Sequence, residues 1–149
     1  MLAAVKRAVN ACSRRAANFI SNVTPLPDSR TYRFARAARL KLSYEFSAVR
    51  ERGETTQGRY LRVTVLRFPE SEEAARIGFI TSRRVGPAHE RNRVRRRLRE
   101  IYRLLQHEVV RGVWIVVVAK RAATEIDFAT LREEWLRLGR RLSIVPPLK

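Results

Sequence analysis

Acidic residues are scarce in this sequence: fourteen Asp and Glu face thirty-two Lys and Arg, a formal charge of +18. Cysteine is nearly absent. Cys12 alone allows neither a disulfide framework nor a thiolate metal site. That fits a reducing compartment, and a cytoplasmic location is expected. No apolar run approaches the roughly eighteen residues a membrane-spanning helix needs, so no membrane partner is expected. Histidine is limited to His89 and His107, each expected on an exposed helix face, and no compact carboxylate group has metal-ligand spacing. Hydrolytic chemistry carried by this chain itself therefore has no candidate, and neither does a metal site. Lysine is rare too: twenty-eight of the thirty-two basic residues are arginine. A GC-rich genome would also enrich arginine, so the skew alone discriminates weakly. Its chemistry is still specific, because the planar guanidinium grips phosphate through two parallel hydrogen bonds and stacks on bases.

An apolar fraction of 45% is ordinary for a globular chain, and 149 residues suffice for one domain and a tail. A surface this basic repels itself unless a polyanion or an anionic membrane neutralises it. Residues 1–38 read as a basic, disordered extension. Through residue 44 there are nine basic residues and one acid, Asp28. Such Arg-rich, acid-poor segments also resemble organelle transit peptides. Pro25 and Pro27 mark a break before the folded part, 39–145.

Within that part, Leu42, Phe46 and Val49 recur at helical spacing ahead of Gly53 and predict a short helix over 42–52. Strands are expected over 60–68 and 76–82, joined through Pro69 and the acidic Glu70 to Glu73 stretch. A long helix should follow Gly86 and Pro87, with Val94, Leu98, Ile101 and Leu105 as its buried stripe, and end at Gly112. The continuous apolar run Val113 to Ala119 predicts a strand buried on both faces. Asp127 is a good N-cap for a last helix carrying Leu131, Trp135, Leu138 and Leu142, with Ile126 and Leu131 as a hydrophobic staple. The expected class is α+β, one sheet with packed helices.

The long helix carries the functional signal. Nine arginines and two glutamates lie from Arg83 to Arg103. At about 100° per residue, Asn92, Arg96, Arg99 and Arg103 fall opposite the apolar stripe. Arg91 and Arg95 flank one edge, Arg93 and Arg97 the other. A merely solvated face mixes Glu with Lys so that i,i+4 neighbours attract, whereas here they repel. Phosphates between the guanidinium groups would remove the repulsion.

The segment Ile80-Thr-Ser-Arg-Arg-Val-Gly-Pro-Ala-His-Glu-Arg-Asn-Arg-Val-Arg-Arg-Arg-Leu-Arg-Glu100 resembles the ribonuclease P protein family. It is similar to that family's strand with a Ser-Lys-Lys-like ending, its Val-Gly-x-Ala turn and its Arg-Asn-Arg helix. Arg39-Leu40 with Glu45-Phe46, Val49 and Gly53 resembles the first helix, and Val116 to Arg121 the last strand. The likeness spans roughly residues 39 to 143. It implies a helix, three strands, helix, strand, helix sandwich with a left-handed βαβ crossover, in which the extra strand would lie near Glu54 to Gln57. It also implies a protein subunit of the endoribonuclease that matures the 5′ end of tRNA, partnered by a catalytic RNA and precursor tRNA. The RNA subunit would perform the phosphodiester hydrolysis and hold the Mg2+.

On this resemblance Arg83, Arg84, Arg91, Asn92, Arg93, Arg95, Arg96, Arg99 and Arg103 meet the RNA. Tyr44, Phe46 and Arg50 meet the single-stranded 5′ leader in a cleft between the first helix and the sheet. Arg50 stands where family members often carry a second aromatic. Phe46 is equally readable as a core residue of its helix. Outside the resemblance, a structural ribosomal RNA-binding protein and a membrane-active cationic protein are the competing classes.

Overall fold

The computed structural model of the protein describes residues 33–147. The extension expected over 1–38 lies outside that range as far as residue 32. The elements are α1 (Ser43–Arg52), β1 (Glu54–Gln57), β2 (Leu61–Arg67), β3 (Arg76–Ile80), α2 (Ala88–Leu105), β4 (Val113–Ala119) and α3 (Phe128–Arg141). Short 3-10 turns occupy Arg36–Ala38, Arg83–Val85 and Arg121–Thr124. The strands form one sheet in the order β1-β2-β4-β3. β1 with β2 and β2 with β4 are antiparallel, while β3 and β4 run parallel and are joined through α2.

The central position of β4 explains its unbroken apolar sequence. Val113, Ile115, Val117 and Ala119 enter the larger core, which α2 and α3 cover; Trp114, Val116 and Val118 enter a smaller one on the other face. All four expected residues of the α2 stripe are buried, as are Leu131, Trp135, Leu138 and Leu142. Asp127 caps α3 by accepting the N–H of Thr130 at 3.2 Å. β1 has no apolar alternation because it is an edge strand of four polar residues. Backbone pairing to β2 and a 3.0 Å Thr55–Thr64 hydroxyl contact hold it.

Three expectations shift. Helix α2 stops at Leu105, well before Gly112, whose positive φ serves the following turn instead. Leu42 precedes α1 as its N-cap and is 53% exposed, so it is no part of a buried stripe. Packing on the sheet also begins before residue 39. The Phe34 ring lies edge-on to Phe79 of β3 at 6.3 Å and to Tyr102 of α2 at 5.2 Å.

The contact that seats α1 was not foreseen. Glu45 is 1% exposed. One carboxylate oxygen accepts the N–H groups of Lys41 at 2.7 Å and Leu42 at 3.0 Å, covering two donors at the helix start. The other meets an Arg76 Nη at 2.7 Å. Arg76 also donates to the carbonyls of Ala37 and Arg39, each at 3.3 Å, and lies 5.3 Å from the Trp114 ring centroid.

Glu45→Gln is expected to cost about 3 kcal/mol at neutral pH, because it leaves the partly buried Arg76 without its counter-charge. Burial pushes the Glu45 carboxyl up, but the two backbone N–H groups and Arg76 outweigh it and hold the group below its ordinary value. The benefit of ionisation is therefore complete above the unfolded-state value of about 4.3. It is lost as pH falls through the depressed folded-state value. Urea unfolding of both proteins at a series of pH values measures this. A stability gap that persists unchanged into strong acid would contradict it.

Candidate nucleic-acid interface

Helix α2 begins where Gly86, at φ +150°, turns the chain through a backbone conformation that L side chains rarely adopt. Pro87 then supplies a fixed φ at the N-cap. With Val94, Leu98, Ile101 and Leu105 turned into the core, the arginines between them are forced outward or to the flanks.

They do not stay equivalent. Arg83, Arg84, Asn92, Arg93, Arg96 and Arg99 are exposed, and no acidic side chain pairs with them among the described residues. Arg95 is half-buried and donates to the buried Thr81 hydroxyl at 2.6 Å. Arg91 is also half-buried, and its Nε is enclosed without a hydrogen-bond partner. Arg97, flanking the row, donates to the Ile126 carbonyl at 2.6 Å and thereby ties α2 to the start of α3. Arg103 is clasped by Glu100 through two hydrogen bonds of 2.8 and 2.6 Å. The Arg103 hydrogen bond holds the Glu100 carboxyl below its ordinary value. Partial desolvation, then the charges of Arg39 and Arg95, lower Arg99 as well. Arg103 is thus engaged internally, while the other expected arginines lie on the exposed face and flanks of α2 and in the turn before it. His89, Asn92, Arg93 and Arg96 border a shallow hollow along that surface.

A second cationic hollow, of about 300 Å³, opens at the ends of β3 and β4, where Arg62, Arg84, Lys120 and Arg121 surround Ser82 and Val118. Three of these four were missed from the sequence. Arg62 and Lys120 are far apart in the chain and meet only because Arg62 pairs with Val118 across the sheet. The run Lys120-Arg121 directly after the buried strand was the available signal.

On the face of the sheet away from α2, α1 lies over Val116 and Gly78. The Phe46 ring is half-buried there and so close to Gly78 that a methyl group would stand 2.4 Å from its Cε1. It is therefore packed against the sheet on one side and open on another. Arg50 follows one turn later, exposed and about 40° round the helix. Tyr44 is 63% exposed but about 200° from Phe46, on the far side of α1. Among the described residues no three His, Cys, Asp or Glu side chains converge on a cation-sized site. No helix among them is long and apolar enough to cross a membrane.

The family model described as Ribonuclease P matches residues 34–143. The ribonuclease P protein component of Symbiobacterium thermophilum is 37% identical over 110 residues, covering 74% of this chain and 95% of the relative. That of Desulfovibrio desulfuricans is 40% identical over 116 residues, covering 76% and 89%. The solved structure of the RNase P protein from Thermotoga maritima superposes with a TM-score of 0.62 at 31% identity. It covers 69% of this chain and 96% of its own.

Neighbouring arginines on α2 should respond oppositely to neutralisation. Arg97→Gln is expected to destabilise by about 1 kcal/mol, losing a charge-assisted bond to Ile126. The double change Arg93→Gln with Arg96→Gln should leave stability unchanged or raise it by a few tenths of a kcal/mol, through relief of like-charge repulsion. Thermal melts at low salt read both, and equal losses would contradict the division.

Proposed function

The chain belongs to the ribonuclease P protein family, and we propose that its α2 face docks the RNA of that enzyme while the α1 face of its sheet guides the precursor's leader. Membership makes it a protein component of the ribonuclease P complex, which works in tRNA processing. The observation that carries the docking role is the row Arg83, Arg84, Arg93, Arg96 and Arg99, exposed and without acidic partners among the described residues. Such a row is a standing electrostatic cost in the free protein. It becomes a gain when phosphates enter between the guanidinium groups and displace counterions.

The leader role rests on the half-open Phe46 ring with Arg50 beside it, and on the hollow ringed by Arg62, Arg84, Lys120 and Arg121. An aromatic face accepts any base, and flanking cations hold the backbone, so binding tolerates varied leader sequences. Arg91 and Arg95 contribute from the flank of α2. Tyr44, on the far side of α1, is left out of this leader path. Phosphodiester hydrolysis and the Mg2+ that supports it are assigned to the RNA. The protein's part is to hold precursor in preference to mature tRNA and to screen RNA charge, which lowers the ionic demand of the assembly.

Reconstitution with a ribonuclease P RNA at low Mg2+ should restore cleavage of precursor tRNA, and no stimulation at any protein concentration would sink the reading. Phe46→Leu keeps an apolar plug against Gly78 but removes the aromatic face. It should reduce the preference for precursor over mature tRNA roughly tenfold, in line with the loss of one stacked base. Equal weakening toward both RNAs, with a lowered melting temperature, would show the ring to be only core.

A further inference from the structure

Arg39 belongs to no part of the α2 row, yet the fold delivers it there. Strand β3 is at the edge of the sheet, and the segment before α1 closes that edge. Arg39 forms a parallel bridge to Ile77, and Leu40 donates to the Ile77 carbonyl. Two hydrogen bonds set the register of α2 against the same strand. Arg95 reaches Thr81 at 2.6 Å, and Tyr102 reaches the Ala75 carbonyl at 3.2 Å. The helix therefore runs back along β3, and Arg99, between those two contacts, stands level with Ile77 and Gly78. That is where Arg39 sits.

The Arg39 guanidinium is held in place beside α2. It lies 4.7 Å from the centroid of the Phe34 ring and donates to the Phe34 carbonyl at 3.3 Å. The Phe34 ring in turn abuts Tyr102 of α2. The Arg39 Nε is enclosed and has no hydrogen-bond partner, a condition it shares with Arg91, Arg140 and Trp135. No carboxylate serves this group among the described residues: Glu45 is committed to Arg76 and Glu100 to Arg103. Arg95 spends one Nη on Thr81 and keeps its other donors, out of the five a guanidinium carries.

We infer that Arg39, Arg95 and Arg99 form one seat for a single phosphodiester of the RNA partner. The inference rests on the RNA-docking reading above and extends the interface from α2 to the segment before α1. One phosphate presents a negative charge and acceptor oxygens matched to guanidinium forks. It would accept from donors these guanidinium groups do not spend internally and cancel the mutual repulsion of the three cations. Arg39 and Arg95 are also the two charges that, after partial desolvation, depress the Arg99 guanidinium.

The test uses the full chain and a ribonuclease P RNA. Arg39→Gln and Arg99→Gln should each weaken RNA binding about tenfold and reduce the slope of log affinity against log salt by about one. Because the residues share one phosphate, the double variant should be hardly weaker than the worse single. Arg39→Lys should keep the salt slope while losing affinity, since it retains the charge and lacks the fork. In the free protein, inorganic sulfate should raise the melting temperature beyond chloride at equal ionic strength. That rise should disappear in Arg99→Gln and survive in Arg132→Gln on α3. Among the described residues Arg99 has no hydrogen-bond or ion-pair partner to lose, so its variant reports binding and not folding. Fully additive losses, or an unchanged slope in Arg39→Gln, would overturn the shared seat while leaving RNA docking intact. Failure of the unaltered protein to bind the RNA would instead overturn the reading beneath it.

Discussion

A single buried carboxylate organises the side of the molecule that α1 covers. Glu45 is removed from water, so its charge must be met by donors supplied in place. Lys41 and Leu42 provide two through the backbone, and Arg76 provides the third from β3. Arg76 then reaches the carbonyls of Ala37 and Arg39 and lies against Trp114 of β4. One ion pair thus links the start of α1, the segment before it and two strands. The position of Phe46 over Gly78, and the course of Arg39 along the sheet edge, both follow from that link.

The second constraint is excess positive charge. With so few acids available, the fold spends internal contacts on some arginines and leaves others without any. Arg76 and Arg97 are held by a carboxylate or carbonyl within the protein, and Arg103 by its neighbour Glu100. Arg83, Arg84, Arg93, Arg96 and Arg99 are not. Residues of one chemical type, some adjacent in sequence, therefore have two jobs. An arginine whose donors are already used stiffens the fold, whereas one facing only like charges gains most from an incoming phosphate. Helix α2 serves both purposes because its 3.6-residue repeat separates an apolar stripe from a cationic face without any break between them.

Much of this was legible in the residues. The α2 and α3 stripes, the Asp127 cap and the doubly buried β4 follow from periodicity and local chemistry, which need no knowledge of what packs where. β1 was not legible from pattern, since Glu54 to Gln57 carry no apolar alternation and become a strand only by pairing with β2. The burial of Glu45 was hidden for the same reason. A glutamate in the first turn of an amphipathic helix is normally solvated, and nothing local announces an arginine thirty-one positions later. The Arg62, Lys120 and Arg121 hollow depends on sheet register in the same way.

The sequence by itself determined that one helix face concentrates positive charge with few acidic neighbours, and the Arg-Asn-Arg segment with its preceding turn tied the chain to one family. Charge sign, helical repeat and motif spacing are local properties, written residue by residue. Tertiary structure alone decided which arginines remain free, because that depends on carbonyls and carboxylates brought from distant positions. It also set Arg39 level with Arg99, and turned Tyr44 away from Phe46 while leaving Arg50 beside it. Those outcomes follow from strand order, helix register and one buried ion pair, all of which are relations between segments.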